Sequence, residues 1–155
     1  MNWFENAVFY HIYPIGYFGC PRQNDFTSEP THKILRVIDD IPHIKELGCN
    51  AVYFGPVFES SAHGYDTADY TKIDRRLGTN EDFKKVCDAL HENGIRVVLD
   101  GVFNHVGRDF WAFRDVRENK LGSAKKDWFH VREGNDGYND GFWYDCLLYT
   151  SGRCR

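Results

Sequence analysis

The chain has 155 residues, of which 42% are hydrophobic and 27% are charged, and its net charge is −4. A chain of this length and composition can bury a globular core, so intrinsic disorder is excluded. The acidic balance and the absence of any run of Lys and Arg argue against a nucleic-acid partner.

The sequence also bears on cellular location. The opening residues MNWFENAVFYHIY lack a charged segment followed by an apolar core, and no apolar run reaches membrane length. We therefore expect neither a signal peptide nor a membrane partner. The cysteines, at positions 20, 49, 87, 146 and 154, are odd in number and show no C-x-x-C spacing. This pattern favours reduced thiols in a cytoplasmic protein over a disulfide framework.

The first elements alternate between strand and helix. Residues 8–14 (VFYHIYP) are β-branched and aromatic and predict a strand that ends at proline. The Gly- and Pro-rich residues 15–31 predict a loop. Residues 33–47 carry apolar side chains at helical spacing, with Pro42 predicting a kink or a break.

The middle of the chain repeats the pattern. Residues 51–58 (AVYFGPVF) predict a second apolar strand, and the polar residues 59–77 predict a loop. A hydroxyl at Thr79 lies three residues before the carboxylate of Asp82, which is the signature of a capping box. The helix that follows is predicted to end at Gly94, because glycine takes the left-handed conformation without strain.

The third strand is predicted over residues 96–103 and is followed by a polar cluster. Its apolar run VVL is typical of a strand buried on both faces. Asp100 follows this run directly, and Asn104 and His105 come just after the end of the strand. Polar groups there cost free energy unless they are paired, so they indicate a ligand, a partner side chain or a metal. A satisfied structural cluster is the alternative.

The alternation of strands and helices predicts right-handed βαβ units and a parallel sheet. A doubly wound open sheet and part of a (β/α)₈ barrel both fit. Polar clusters after the second and third strands, with no Gly-rich phosphate turn after the first, favour the barrel. Residues 107–145 are rich in Gly and aromatics and predict a small lid-like subdomain. Residues 147–155 fit nothing before them and are expected to be a foreign or frame-shifted tail.

Three stretches resemble the α-amylase family of glycoside hydrolases in order and spacing. VFYHIYPIGYFG resembles the first barrel strand, GYDTADYTKIDRRLGTNEDF the block after strand two, and LDGVFNH the signature at the end of strand three. Residues 127–144 resemble the entry into the family's inserted B domain. The resemblance covers residues 3–145 and implies an α/β fold, a partial (β/α)₈ TIM barrel. Its first three strands and two helices would occupy residues 1–103, and the start of the B domain residues 104–146.

The resemblance implies roles for two substrate-binding residues. Tyr65 would stack on the sugar ring next to the scissile bond. His105 would hydrogen-bond a hydroxyl of the same sugar and strengthen that contact in the transition state. The ordinary alternatives are a loop aromatic that covers the core and a satisfied core histidine.

The resemblance also implies supporting residues. Asp66 and Asp100 would orient the site and pair with a later arginine, although from their positions alone they could be an acid pair. The ordinary alternative, which fits Asp66 better than Asp100, is a loop carboxylate that binds its own backbone. His63 would shape the loop or line the cleft. Asn104 occupies a position that binds calcium in many family members, and a single amide oxygen is a weak metal signal because calcium takes six to eight oxygens.

The implied function is the N-terminal part of a retaining, α-glucan-acting glycoside hydrolase of the α-amylase, neopullulanase or cyclomaltodextrinase type, with no required cofactor. Family members carry a nucleophile Asp after strand four, an acid/base Glu after strand five and a third Asp after strand seven. Only three strands are predicted here, so we expect no catalytic residue in the chain and no activity from it alone. A non-enzymatic barrel protein serving as a partner or transporter subunit is one alternative. A self-standing carbohydrate-binding domain is the other.

Overall fold

The computed structural model describes residues 2–129 and, by their backbone alone, residues 132–133 and 142–143. Its strands and α-helices, in chain order, are β1 (Phe9–Ile12), α1 (Pro14–Tyr17), α2 (Val37–Glu46), β2 (Ala51–Phe54), β3 (Phe58–Ser60), β4 (Thr67–Ile73), α3 (Asn80–Glu92), β5 (Arg96–Leu99), α4 (Trp111–Asn119), β6 (Arg132–Glu133) and β7 (Phe142–Trp143).

The main sheet has three parallel strands in the order β1–β2–β5. Its register pairs Tyr10 with Val52 and Val52 with Val97. Helix α2 connects β1 to β2, and α3 follows the β3–β4 hairpin and leads into β5. The predicted parallel sheet is confirmed, and the carboxyl ends of its strands meet at one edge, where polar loops can converge.

The core lies between one face of this sheet and helices α2 and α3. Val52 and Phe54 of β2 are fully buried there, as are Ile44 of α2 and Val86 and Leu90 of α3. Burying one such side chain stabilises the fold by about 1.5–3 kcal/mol. The apolar spacing of both helices therefore fixes which of their faces meets the sheet.

Helix α2 continues through Pro42, although proline removes one helical hydrogen bond. The change of helix type comes earlier, where a 3₁₀ turn at Lys33–Arg36 gives way to α2. The interruption predicted at Pro42 is therefore misplaced. Burial of Val37, Ile41 and Ile44 on one face of the helix offsets the missing bond.

The single strand predicted over residues 51–58 is wrong, because the structure has two strands there in different sheets. β2 ends before Gly55, and β3 begins at Phe58. Pro56 lies between them and cannot extend a ladder of hydrogen bonds because it has no N–H.

The loop predicted over residues 59–77 is also wrong, since β3 and β4 pair there as an antiparallel hairpin. Tyr70, Thr71 and Ile73 are strong strand formers, and they were outweighed by the many polar residues around them. Shifts of register around Glu59 show an irregular ladder of the kind that redirects side chains near sites. The loop predicted over residues 15–31 also begins too early, since α1 extends to residue 17.

The predicted capping box of α3 is confirmed. The Thr79 hydroxyl accepts the Asp82 N–H at 3.1 Å, and the Asp82 carboxylate accepts the Thr79 N–H at 3.1 Å. Gly94 has φ +74°, the left-handed conformation predicted to end the helix.

Strand β5 is less buried than its apolar run predicts. It ends at Leu99 rather than at residue 103, and Leu99 remains 38% exposed. Within the described residues β5 pairs only with β2, so it is an edge strand with one side open. The prediction of burial on both faces is therefore wrong.

After β5 a second, smaller cluster forms around α4, from Phe110, Ala112, Phe113 and Val116. Tyr70 of β4 packs against it and so ties it to the hairpin. Among the described helices, none combines the length and the apolar character that a membrane crossing requires.

Candidate functional site

The carboxyl ends of β2 and β5 bring Tyr53 and Asp100 together. Asp100 follows β5 directly, and the Tyr53 hydroxyl donates to its Oδ2 at 2.9 Å. That hydrogen bond is the main cause that raises the pKa of Tyr53, with burial second. The phenol therefore stays protonated at neutral pH and holds the carboxylate in one orientation.

The loop between β3 and β4 presents His63, Tyr65 and Asp66. Gly64 takes φ +92° at the turn, a backbone conformation that residues other than glycine rarely adopt. The Asp66 carboxylate accepts the His63 N–H at 3.1 Å, and the Tyr13 hydroxyl donates to the His63 carbonyl at 2.7 Å. The loop is thus closed on itself and attached to the end of β1.

Tyr65 and His105 are in contact. His105 Nε2 lies 3.0 Å from the Tyr65 carbonyl oxygen, and because a carbonyl only accepts, Nε2 is the donor. The other ring nitrogen, Nδ1, lies 3.4 Å from the Asn104 amide nitrogen. The His105 carbonyl accepts the Tyr70 hydroxyl at 2.8 Å. The loop after β5 is therefore joined to the hairpin through both the side chain and the main chain of His105.

Gly107 allows the two segments to approach this closely. Its N–H donates to the Thr67 carbonyl at 2.8 Å. A Cβ at this position would lie 2.3 Å from the Asp66 carbonyl oxygen, far inside van der Waals contact. Only glycine fits here without moving the main chain that carries Tyr65 and Asp66.

Tyr65 is exposed over 41% of its surface, so its ring is available to a ligand. Burial of the remainder raises the pKa of its phenol, and the negative charge of Asp100 raises it further. Tyr65, Tyr53 and Asp100 therefore form one polar group whose two phenols remain neutral hydrogen-bond donors at neutral pH.

The structure thus gathers His63, Tyr65, Asp66, Asp100 and His105 around one edge of the sheet. His63 Nδ1 lies 3.5 Å from the Asp66 carboxylate, an ion pair when the histidine is protonated. Asn104 is exposed beside His105. No cluster of three or more His, Cys, Asp or Glu side chains suited to a metal occurs in the described part of the chain.

A buried ion pair beneath the loop was not singled out from the sequence. Arg76 Nη2 lies 2.6 Å from Asp74 Oδ2, and the Ser60 hydroxyl donates to the same oxygen at 2.9 Å. Arg76 Nη1 donates to the carbonyls of Ala62 at 2.7 Å and Pro21 at 2.9 Å. One guanidinium thus fixes the chain just ahead of His63.

Tyr13, Tyr53 and Tyr70 were also missed. Tyr13 and Tyr53 are aromatics in apolar stretches and Tyr70 lies among polar residues, and each hydroxyl contributes only through a partner distant in sequence. The alternation in β2 places Tyr53 on the face opposite the buried Val52 and Phe54, and that pattern was the available signal.

Comparison with known proteins gives a consistent result. The family model described as "Alpha amylase, catalytic domain" matches residues 31–147. A cyclomaltodextrinase from a Bacillus species is 42% identical over 144 residues, covering 84% of this chain and 26% of that protein. Neopullulanase 2 from Thermoactinomyces vulgaris is 39% identical over 147 residues, covering 85% and 25%. The chain therefore spans about a quarter of the length of these relatives.

The solved structures agree. The cyclic α-maltosyl-(1→6)-maltose hydrolase from Arthrobacter globiformis superimposes with a TM-score of 0.72 at 40% identity, covering 86% of this chain and 33% of that one. The three parallel strands and their helices match part of the family's barrel, so the predicted fold class is confirmed. The chain belongs to the α-amylase family, of whose catalytic domain it contains the part described above.

Proposed function

We propose that this chain supplies one wall of the sugar-binding cleft of a glycoside hydrolase that acts on α-glucans. The contact between His105 and the Tyr65 carbonyl carries the proposal, because it unites two polar loops from different strands into one surface. The relatives named above are cyclomaltodextrinase and neopullulanase, which supports an α-glucan as the ligand.

In this proposal Tyr65 stacks on a sugar ring. Its exposed face offers apolar area, and its neutral hydroxyl offers a donor. The negative charge of Asp100 acts on its phenol and raises its pKa, and Asp100 is itself held by Tyr53. An ordinary loop aromatic would need no such support from a carboxylate at the end of another strand.

His105 is proposed to hydrogen-bond a sugar hydroxyl through its imidazole. The bond from Nε2 to the Tyr65 carbonyl sets the tautomer and leaves Nδ1 as an acceptor when the ring is neutral. Asp66 and His63 are proposed to hold the loop in shape through the bonds between them. None of these residues is assigned a covalent or proton-transfer step.

The chemical step is assigned to carboxylates of the family that follow later barrel strands. Enzymes of the α-amylase family need no cofactor for catalysis. The 155-residue chain by itself is therefore expected not to hydrolyse maltoheptaose, and turnover by the purified chain would contradict the proposal. A non-enzymatic partner or transporter subunit is not favoured, because the relatives and the solved structure named above are named as enzymes.

Three finer points are proposals as well. Asn104 is proposed as one calcium ligand, supported by its exposure beside the site. A boundary between the barrel segment and the B-domain start near residue 103 is supported by the separate cluster around α4. A cytoplasmic location is proposed as well, supported by the odd number and scattered spacing of the cysteines. The foreign or frame-shifted tail predicted over residues 147–155 lies outside the described residues, and residues 148–155 also lie beyond the family match.

The proposal is tested by maltoheptaose binding to the chain and its Tyr65→Ala variant, measured by calorimetry. We expect the variant to bind at least about tenfold more weakly, since a ring and its stacking contact are lost. Tyr17 is a matched control: it is 47% exposed, and its hydroxyl also donates to a carboxylate, Asp40, at 2.8 Å. Equal effects of Tyr65→Ala and Tyr17→Ala would refute the assignment.

A further inference from the structure

Two exposed tryptophans lie side by side at the start of α4. Trp111 is 53% exposed and Trp128 is 57% exposed. Their ring centroids are 5.7 Å apart, with the ring planes at 74°. The Lys125 ammonium lies 4.7 Å from the centre of the Trp128 ring and 5.5 Å from that of Trp111. We call Trp111, Lys125 and Trp128 the indole platform.

A fixed scaffold holds these side chains outward. The buried Ser123 hydroxyl is hydrogen-bonded to Asp115 of α4 and accepts the Lys125 N–H at 2.9 Å. The backbone N–H of Trp128 donates to the Lys125 carbonyl at 3.0 Å. The opposite face of α4 is anchored in the small core through Ala112, Phe113 and Val116. The exposure of the two indoles is therefore built into the turn and is not the result of loose packing.

The chemistry of the indole platform points to one class of ligand. An apolar partner covering both rings would also bury the ammonium of Lys125, which costs free energy unless a hydrogen bond replaces its water. A sugar satisfies both requirements, because it offers a face of C–H groups to an indole and hydroxyl acceptors to an ammonium. We propose that the indole platform binds neighbouring glucose units of an α-glucan, with Lys125 donating to their hydroxyls.

The two indole planes are inclined at 74°, so the pair does not present one flat surface. Two parallel rings in one plane would instead suit a flat, extended ribbon of sugars. The preference for an α-glucan over other sugars rests on the proposed function, whereas the site itself does not.

The indole platform is continuous with the cleft wall. The Phe110 ring lies 5.6 Å from Trp111 and 5.8 Å from Tyr70. The Tyr70 hydroxyl in turn donates to the His105 carbonyl. The proposed wall and the indole platform therefore belong to one packed unit, on which one glucan chain could make two separate contacts.

Trp3 provides a matched control. It is 42% exposed, and the Arg96 guanidinium lies 5.0 Å from its ring centre, so it also pairs an exposed indole with a cation. Arg96 and Phe9, which also contacts Trp3, are the first residues of β5 and β1. Trp3 thus lies at the amino ends of the strands, away from the wall.

The test titrates the ¹⁵N-labelled 155-residue chain with maltoheptaose and follows the indole N–H signals by NMR. We expect the signals of Trp111 and Trp128 to shift and that of Trp3 to stay unchanged. In a Tyr65→Ala background, the Trp111→Ala/Trp128→Ala double change should weaken the remaining binding by about tenfold. Trp3→Ala should leave it unchanged.

Several outcomes would overturn the assignment. Unshifted signals of Trp111 and Trp128, or unchanged binding in the double variant, would remove the site. Equal shifts with cellohexaose, a β-linked chain, would remove the α-glucan preference. Weaker binding in Tyr65→Ala alone, with no effect of the tryptophan changes, would leave the proposed function standing without the indole platform. The reverse result would refute the proposed function and leave the indole platform.

A folding check accompanies these variants. If the double variant loses its circular dichroism signal, Lys125→Ala replaces it, because that change removes the donor and leaves both rings in place. We expect Lys125→Ala to weaken binding by about threefold. Unchanged binding together with unshifted indole signals in the parent chain would overturn the proposal.

Discussion

The β3–β4 hairpin carries two polar groups that differ in how completely they are bonded. At its base, Asp74 and Arg76 are buried, and their charges are met by each other and by surrounding carbonyl and hydroxyl groups. At its turn, Tyr65 and His63 are exposed, and part of their hydrogen-bonding capacity faces outward. Throughout the described residues, no buried side-chain nitrogen or oxygen lacks a partner.

This difference separates residues that stabilise the site from residues that can bind a ligand. A buried charge must be fully paired, so its hydrogen bonds stabilise one fixed arrangement of the chain. A half-exposed group with a supported ring or imidazole keeps donors and acceptors for a ligand. We therefore expect changes at the base to act on stability and changes at the turn to act on sugar binding.

The largest effect is expected for Arg76→Ala. It leaves the Asp74 carboxylate buried without its partner, which costs about 3–5 kcal/mol. Urea unfolding of the parent and the variant measures the difference. Lys72→Ala is the matched control, since it removes an exposed pair with Asp69 at 3.4 Å and should cost at most about 0.5 kcal/mol. Similar midpoints for both variants would show that the buried pair does not hold the hairpin.

The second largest effect is expected for Gly107→Ala. The added Cβ would meet the Asp66 carbonyl oxygen at 2.3 Å, so the main chain must move, at a cost of about 1–3 kcal/mol. We also expect faster hydrogen exchange of the residue 107 amide as its bond to Thr67 lengthens. Gly122→Ala is the control, because nothing lies within 4 Å of its added Cβ.

Equal melting temperatures for Gly107→Ala and Gly122→Ala would contradict the close approach of the two segments. A lower melting temperature with unchanged maltoheptaose binding would be equally informative. It would show that the contact between Tyr65 and His105 does not depend on the spacing at Gly107.

The sequence predicted the parallel sheet and the start of α3 because both follow from local signals. Continuous apolar runs specify the strands, and apolar residues at helical spacing specify the helices. Thr79 with Asp82 specifies a helix start within four residues. The β3–β4 hairpin was not predicted, because its polar side chains resemble those of a loop. The hydrogen bonds that offset the burial of Asp74 and Arg76 include those to the carbonyls of Pro21 and Ala62, which no local pattern reveals.

The candidate site likewise has features that could be predicted from the sequence and features that could not. The roles of Tyr65 and His105 came from a resemblance to a family, and the structure brings the two residues into contact. The roles themselves remain predictions until binding is measured. The bond from Tyr53 to Asp100 could not be predicted, because it depends on the register between β2 and β5.

A moderate effect is expected for Thr79→Ala. The hydroxyl caps the Asp82 N–H at the start of α3, and removing such a cap costs about 1 kcal/mol. Thermal unfolding followed by circular dichroism measures the loss. Thr79→Ser keeps the hydroxyl and should retain most of the stability. An equal loss in both variants would assign the effect to the methyl group of Thr79 rather than to the cap.

The smallest effect concerns the pH dependence of the same cap. Burial alone would raise the pKa of Asp82, but hydrogen bonds from His32 and Thr79 outweigh it and lower the pKa below 3.8. Because the folded pKa is lowered, the contribution of Asp82 to stability is full above pH 3.8 and is lost as the pH falls through the folded value. His32→Ala removes one cause of the shift, so the free energy of unfolding should fall less steeply with pH below about 4. Since His32 is exposed, the change at neutral pH should be at most about 1 kcal/mol. An unchanged slope of unfolding free energy against pH would show that His32 does not act on Asp82, and the stability of the α3 cap would then rest on Thr79 alone.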